Sequence, residues 1–116
     1  MPIRERRKAP RVASHVPLTL TDATQEVSTV THNISASGAY CTLSRFVAPM
    51  TKIRVRLELP GSSSPKRLIC QGVVVRVEPP APQPHLSAYR VAIFFQDLPE
   101  RDRTILSDYV QRHQQP

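Results

Sequence analysis

Two arginines in the N-terminal segment have a spacing that suits recognition of an anionic ligand. Arg7 and Arg11 lie four residues apart in the stretch RKAPR, where Pro10 interrupts any helix. An extended path separates their Cα atoms by up to about 13 Å, at roughly 3.3 Å per residue. A guanidinium group supplies paired planar donors that match a phosphate or the O6/N7 edge of guanine. The pair therefore suits a ligand with several anionic or acceptor groups.

A second group of polar residues lies in the segment NISASG at positions 33–38. Strand geometry predicts Asn33 and Ser35 on one face, with Ile34 pointing into the core. Gly38 suits either a positive φ in a turn or a close approach of a ligand to the backbone. Because asparagine and serine both donate and accept hydrogen bonds, they are able to read the edge of a base.

Each group also has a simpler interpretation. An RxxxR spacing arises often by chance in a segment this rich in arginine, and the first group is then a solvated basic tail. The second group is then a hairpin turn stabilised by bonds from side chains to the backbone. Taken alone, each group favours the simpler interpretation.

The charge of the chain favours anionic partners. The 116 residues include 16 Lys and Arg against 9 Asp and Glu, a formal net charge of +7. Such a charge suits nucleotides, nucleic acid, phosphates or acidic membranes. Five basic residues and one acidic residue, Glu5, fall within the first eleven positions. The basic residues are Arg4, Arg6, Arg7, Lys8 and Arg11. We therefore predict a basic N-terminal arm over residues 1–12.

Residues able to catalyse a reaction or bind a metal lack the required spacing. The histidines are scattered, and the sequence has no GxSxG, Walker or HExxH element. Cys41 and Cys70 lack the spacing of a zinc site, so we predict two reduced, half-buried thiols. The sequence therefore predicts a protein that is not an enzyme and has no metal site. Since no apolar stretch suits a membrane span or a signal peptide, we expect a cytoplasmic location without membrane insertion.

Short strands are predicted to position the two polar groups. The 12 prolines and 3 glycines, together with frequent Val, Ile and Thr, favour strands joined by loops. Alternation of apolar and polar residues supports strands at 16–20, 53–59 and 89–95. Three further β-rich segments alternate less cleanly. These are 26–34, 39–43 and 67–77.

The C-terminal segment changes to helical spacing. Apolar residues recur at helical intervals from Ile105 to Val110, and the helix is predicted to end near His113. Asp97 and Glu100 have the spacing of the N-cap and N3 residues of a capping box. Because closure of the sheet would remove its exposed edges, we predict a mainly β fold. The predicted domain, residues 13–116, is a six-stranded antiparallel β-barrel with a C-terminal α-helix, preceded by the flexible basic arm.

Together and in this order, the two polar groups resemble the motifs of the PilZ domain family, RxxxR followed by D/N-x-S-x-x-G. The resemblance covers most of the chain: a basic arm, about six strands that form a barrel, and a terminal helix. It includes the segments GVVVRV at 72–77 and YRVAIFF at 89–95. This joint agreement is much more specific than either motif alone.

The resemblance implies that the chain binds cyclic di-GMP. Arg7 and Arg11 are then expected to contact guanine and phosphate, while Asn33, Ser35 and Gly38 form the surface on the side of the barrel. No cofactor is implied besides this ligand. Binding is expected to order the basic arm against the barrel and so create a surface for a downstream protein that the sequence does not identify.

Three positions refine the resemblance. Arg6 is similar to the basic residue of family members that bind an intercalated ligand dimer, and we expect that stoichiometry here. Asn33 replaces the more common Asp, which removes a charged acceptor. Ala92 stands where Gly is frequent, a change that is expected to affect packing more than the ligand.

Two other functions remain open. A basic barrel with an arginine-rich arm is also suited to RNA or DNA, although few aromatic residues are present to stack on bases, which makes nucleic acid the weaker interpretation. The other alternative is a PilZ-like interaction module that does not bind the ligand.

Overall fold

The computed structural model describes residues 11–61 and 65–114, and these form six strands and one helix. The mainly β fold predicted from the sequence is confirmed. The elements are β1 (Pro17–Thr21), β2 (Glu26–Ser35), β3 (Gly38–Leu43), β4 (Lys52–Leu59), β5 (Lys66–Glu78), β6 (Tyr89–Phe95) and α1 (Glu100–Arg112).

The strands close into an antiparallel barrel in the order β1-β2-β3-β6-β5-β4, and β4 pairs back to β1. Each strand therefore has a neighbour on both sides, which satisfies the backbone groups that an open sheet would expose. Within the barrel, apolar side chains that alternate along the strands form the core, as the alternating pattern predicts. The predicted closed barrel is confirmed.

The helix and the residues before β1 pack onto β2. Leu106, Tyr109 and Val110 are the buried residues of α1, and the hydroxyl of Tyr109 lies 2.6 Å from that of Ser14. Val12, placed at the end of the arm by the sequence, is 6% exposed and exchanges two backbone hydrogen bonds of 3.0 Å with Ile34. Val12, the last residue of the predicted arm, is therefore paired with the barrel.

Two β-bulges interrupt the strands that alternate least cleanly in the sequence. In β2, Thr31 pairs with Cys41 and Asn33 pairs with Tyr40, so that His32 is an extra residue. In β5, Val75 is the extra residue in the same way, between Val74 and Arg76. A bulge turns the following side chains relative to a regular strand. These two bulges decide which polar groups face outward on the barrel.

The loop from β6 to α1 differs from the prediction. Pro99 occupies the N-cap position, and no side chain of the described residues makes a capping hydrogen bond there. The expectation that Asp97 caps the helix is wrong because its carboxylate accepts a 2.6 Å hydrogen bond from the backbone N–H of Gln71. Asp97 therefore ties the end of β6 to the neighbouring strand β5.

The two cysteines are free and are more deeply buried than predicted, Cys41 with no exposed surface and Cys70 with 7%. Burial raises the pKa of both thiols to about 12, and the carboxylates of Asp97 and Asp102 add to the effect at Cys70. Both side chains are therefore neutral thiols near pH 7, and they fill space in the core.

None of the helices in the described part of the chain is both long enough and apolar enough to cross a membrane.

Candidate ligand-binding site

A row of four side chains crosses the outer face of the barrel. Asn33 pairs with Tyr40, Tyr40 with Ala92, and Ala92 with Arg76, so the row runs over β2, β3, β6 and β5. Both bulges are needed for this alignment, since each adds one residue just before a member of the row. Neighbouring strands lie about 4.8 Å apart, so a row over four strands is roughly 14 Å wide.

Arg11 lies at the β2 end of this row. Its Nη1 atom donates a hydrogen bond of 2.8 Å to Oδ1 of Asn33, a residue 22 positions away in the chain. The Val12–Ile34 bridge is antiparallel, so Arg11 lies opposite Ser35 and diagonal to Asn33, and the long arginine side chain spans that diagonal. The structure thus brings together one residue from each of the two motifs.

These residues surround a shallow cavity of about 270 Å³. Its lining residues are Arg11, Asn33, Tyr40, Arg76 and Ala92. Ala92 is half-buried in the middle of the row, and its methyl group leaves open the space that a larger side chain would fill. Ala92 therefore lines the candidate site itself, in addition to packing between the strands.

Arg76 supplies a second guanidinium group at the far end of the row. Its Nη2 atom makes a long hydrogen bond of 3.5 Å to the hydroxyl of Tyr40, and its Nε lies 3.7 Å from Oε2 of Glu78. The hydrogen bond to Tyr40, followed by the charges of Tyr40 and Glu78, raises the pKa of Arg76 above its usual value. Arg76 therefore stays a cation under all ordinary conditions.

Sequence reasoning did not assign a role to Arg76 or Tyr40. Regular alternation along GVVVRV does not place Arg76 beside Ala92, because that pairing requires the extra residue Val75. The irregular apolar pattern of this segment was the one signal available, and it does not specify where the bulge lies.

Ser35 lies on the same strand as Asn33 but is only 1% exposed. Its hydroxyl accepts a 3.1 Å hydrogen bond from the backbone N–H of Ser37 and lies 3.4 Å from the carbonyl oxygen of Gly38. Such bonds hold the two-residue turn between β2 and β3. In this structure the Ser35 hydroxyl therefore shapes the turn next to the cavity, and its contact with a ligand stays a prediction.

Gly38 is required by a close approach of two strands. It does not have a positive φ, so that alternative for this residue is wrong. A Cβ atom at Gly38 would lie 2.3 Å from the carbonyl oxygen of Ile93 in β6. The glycine thus allows the β2–β3 turn to pack tightly on the backbone of β6.

The remaining predicted site residues, Arg6 and Arg7, lie outside the described residues. Arg11 and Asn33 are in direct contact, and Ser35 and Gly38 pair with each other at the adjacent end of the hairpin. Within residues 11–61 and 65–114, no group of three or more His, Cys, Asp or Glu side chains is placed to hold a metal ion.

The chemistry of the site is that of hydrogen bonding and charge. Two guanidinium groups, an amide and a phenol converge on one cavity. Guanidinium and amide groups recognise phosphates and base edges by paired hydrogen bonds. This donor and acceptor set suits an anionic ligand that carries nucleobases.

Solved structures with the same fold were found by comparison. The Bacillus subtilis inhibitor of motility MotI/DgrA has a TM-score of 0.77 at 22% identity; the match covers 97% of this chain and 55% of MotI/DgrA. The PilZ domain of Escherichia coli YcgR with c-di-GMP has a TM-score of 0.67 at 9% identity and coverage of 94% and 92%. The PilZ domain of CeSA from a cellulose-synthesizing bacterium has a TM-score of 0.60 at 18% identity and coverage of 89% and 96%.

These similarities show a shared fold, and the chain spans about half the length of MotI/DgrA. No curated protein sequence matches the chain. The family model of the PilZ domain matches residues 5–112, nearly the whole sequence. With its closed barrel and C-terminal helix, this chain belongs to the PilZ domain family.

Proposed function

We propose that this chain is a cyclic di-GMP receptor that is not an enzyme and that signals to a partner protein. PilZ domains are binding and effector domains. The observation that carries the proposal is the 2.8 Å hydrogen bond between Arg11 and Asn33 at the edge of an open cavity. Residues from the two motifs, far apart in sequence, meet where a ligand would contact both.

The chemistry of the ligand fits the cavity. Cyclic di-GMP presents two phosphates and two guanine bases, and a guanine edge accepts a bidentate pair of hydrogen bonds from arginine. Arg11 is proposed to contact guanine or phosphate, and the Asn33 amide to read a base edge. Arg76 offers a further cation on the opposite side of Ala92. Hydrogen bonds to charged groups contribute about 1.5 to 3 kcal/mol each, so a few contacts support specific binding.

The N-terminal arm completes the proposed site. Arg7 and Arg6 precede Arg11 in a strongly basic segment, and ligand phosphates are proposed to order this segment against the barrel. Ordering costs conformational entropy, which charge-assisted hydrogen bonds offset. The ordered arm would present a new surface to the downstream partner. The proposed location of the protein is the cytoplasm. The basic Arg6 supports binding of an intercalated ligand dimer.

Nucleic acid is a weaker candidate for the ligand. Sequence-tolerant binding of single strands uses exposed aromatic side chains as a stacking platform. Tyr89, Phe95 and Tyr109 are at most 3% exposed and belong to the core. Of the other aromatic residues, only Phe94 is largely exposed among the described residues, so a platform for several stacked bases is not formed there.

Calorimetric titration of the chain with cyclic di-GMP tests the proposal directly. We expect saturable binding of cyclic di-GMP and much weaker binding of GTP and of a short oligonucleotide under the same conditions. The fitted stoichiometry tests the role of Arg6, since one ligand per chain contradicts an intercalated dimer. A folded chain that shows no heat of binding with cyclic di-GMP would instead be an interaction module without this ligand.

Replacing Ala92 with leucine is expected to weaken cyclic di-GMP binding by about tenfold or more, a loss of about 1.4 kcal/mol. The larger side chain occupies the middle of the cavity without removing any hydrogen-bonding group. Ala88→Leu is the matched control, because Ala88 is exposed in the loop before β6. Equal affinities of the two variants, measured by the same titration, would mean that the ligand does not enter this cavity.

A further inference from the structure

Three exposed apolar side chains lie together on the barrel beside the cavity. Met50, Val75 and Phe94 are 74%, 52% and 47% exposed. The backbone N–H of Met50 donates to the carbonyl oxygen of Val74, so Met50 lies next to Val75. Phe94 follows Ala92 by two residues on the outer face of β6. We call these three residues the apolar surface.

Val73 forms the base of the apolar surface. It pairs with Lys52 on one side and Phe94 on the other, and both partners are exposed, so the register places Val73 on the outer face. Val73 is nevertheless only 7% exposed and does not belong to the cluster that fills the barrel. Outer side chains therefore already pack on one another here, which is typical of a surface that buries apolar groups on binding.

The backbone conformation of Met50 indicates that its side chain does not stabilise the fold. Residues 48–51 form a turn in which the Thr51 N–H donates to the Ala48 carbonyl oxygen, with Pro49 second and Met50 third. The φ angle of Met50 is 74°, the one positive value among the described non-glycine residues. This is a type II turn, whose third position favours glycine or asparagine. A large apolar residue is thus held, 74% exposed, where glycine suits the backbone better.

Cations border the apolar surface. Lys52 is exposed beside Val73 and has no ion-pair partner within the described part of the chain. Arg76, with a side chain that is 63% exposed, lies next to Val75. A second copy of the chain would bring these same cations face to face across a symmetric contact. Insertion into a bilayer would remove Glu78, the ion-pair partner of Arg76, from water.

We infer that the apolar surface docks a segment of a partner protein that carries apolar side chains flanked by Asp or Glu. The apolar groups would cover Met50, Val75 and Phe94, and the carboxylates would pair with Lys52 and Arg76. Met50, Val75 and Phe94 do not line the cavity, whereas Arg76 borders both surfaces, so the inference is tested without cyclic di-GMP.

Selection from a random dodecapeptide display library against the immobilised wild-type chain, without cyclic di-GMP, tests the inference. We expect the selected peptides to combine apolar residues with Asp or Glu, and to bind more weakly as sodium chloride increases. Synthetic copies of these peptides should bind Met50→Gly and Phe94→Ser about tenfold or more weakly than wild type, the usual cost of truncating a central contact. Leu86→Ser, which alters an exposed apolar residue elsewhere, should bind them as wild type does.

Met50→Gly keeps the test interpretable, because glycine suits the turn and the variant should fold at least as well as wild type. Selected peptides that lack acidic residues, or that bind wild type and Met50→Gly equally, would overturn the inference. Two other results would also overturn it. One is a wild-type dimer that Met50→Gly converts to a monomer, and the other is wild-type binding to phosphatidylcholine and phosphatidylglycerol vesicles that Met50→Gly abolishes.

Discussion

Replacing Arg11 with alanine is expected to weaken cyclic di-GMP binding by about 100-fold, a loss of about 2.8 kcal/mol. Arg11 is the motif arginine that the structure places at the cavity, where its guanidinium donates to Asn33. Truncation removes a cation and the planar donors that suit both guanine and phosphate. The loss corresponds to one or two hydrogen bonds to charged groups.

Two further variants separate geometry from charge. Arg11→Lys keeps the positive charge but loses the paired donors, so we expect an intermediate loss of about tenfold. Arg101→Ala removes an exposed arginine of α1, on a different part of the surface, and should bind nearly as wild type. All three affinities come from calorimetric titration, with unfolding in urea as a check of the fold. If Arg101→Ala and Arg11→Ala lose affinity equally, the net charge of the chain and not this site governs binding.

Three of the six strands were predictable because apolar and polar residues alternate strictly along them. β6 was predicted at its observed bounds, Tyr89–Phe95, and β4 differs by one residue at its start. Alternation is a local property, and burial of one face enforces it along each strand. Closure was predictable as well, because closing six strands into a barrel removes the two exposed edges that an open sheet would leave.

The bulges could not be located from the sequence because they depend on pairing between strands. Thr31 and Ile34 both point inward, three positions apart, and so do Val74 and Val77. In the sequence this offset appears only as poor alternation. His32 and Val75 are extra residues solely by reference to their partners in β3 and β6. Asn33 and Arg76 lie on the first and last of four neighbouring strands, so their alignment could not be predicted without the structure.

The helix start shows a different limit. Asp97 and Glu100 have the spacing of a capping box, and Pro99 suits a helix start in sequence terms. The Asp97 carboxylate instead bonds the Gln71 N–H, a group 26 positions away. A backbone N–H exposed on a neighbouring strand competes with the helix N-terminus for the same carboxylate. The spacing of residues near the helix start gives no information about that distant donor.

The motif residues also differ in how much of their role could be predicted from the sequence. Arg11 and Asn33 were predicted to act together, and they touch. Ser35 and Gly38 were predicted to contribute to the same surface, which stays a prediction; in the structure Ser35 bonds within the turn and Gly38 allows the turn to pack on β6. Chemistry read from residue types does not distinguish a ligand contact from a group that shapes the adjoining turn.

Replacing Gly38 with alanine is expected to destabilise the fold by about 2 to 3 kcal/mol, the usual cost of overpacking a tight contact. The added Cβ would lie 2.3 Å from the Ile93 carbonyl oxygen, which belongs to the backbone of β6. The β2–β3 hairpin and β6 must therefore separate, which also weakens the bond from the Phe95 N–H to the Ser37 carbonyl oxygen. The melting temperature should fall by roughly 10 to 15 °C.

Gly72→Ala is the matched control for this change. At Gly72 a Cβ would meet methyl groups, Cγ2 of Val55 at 2.7 Å and Cγ2 of Ile93 at 3.0 Å. Side-chain methyls shift at smaller cost than a strand backbone, so we expect a loss of about 1 kcal/mol. Thermal and urea unfolding of the two variants give the comparison. A Gly38→Ala chain as stable as wild type would show that β6 yields easily at this point, and a role for Gly38 in contacting the ligand would then better explain why glycine stands there.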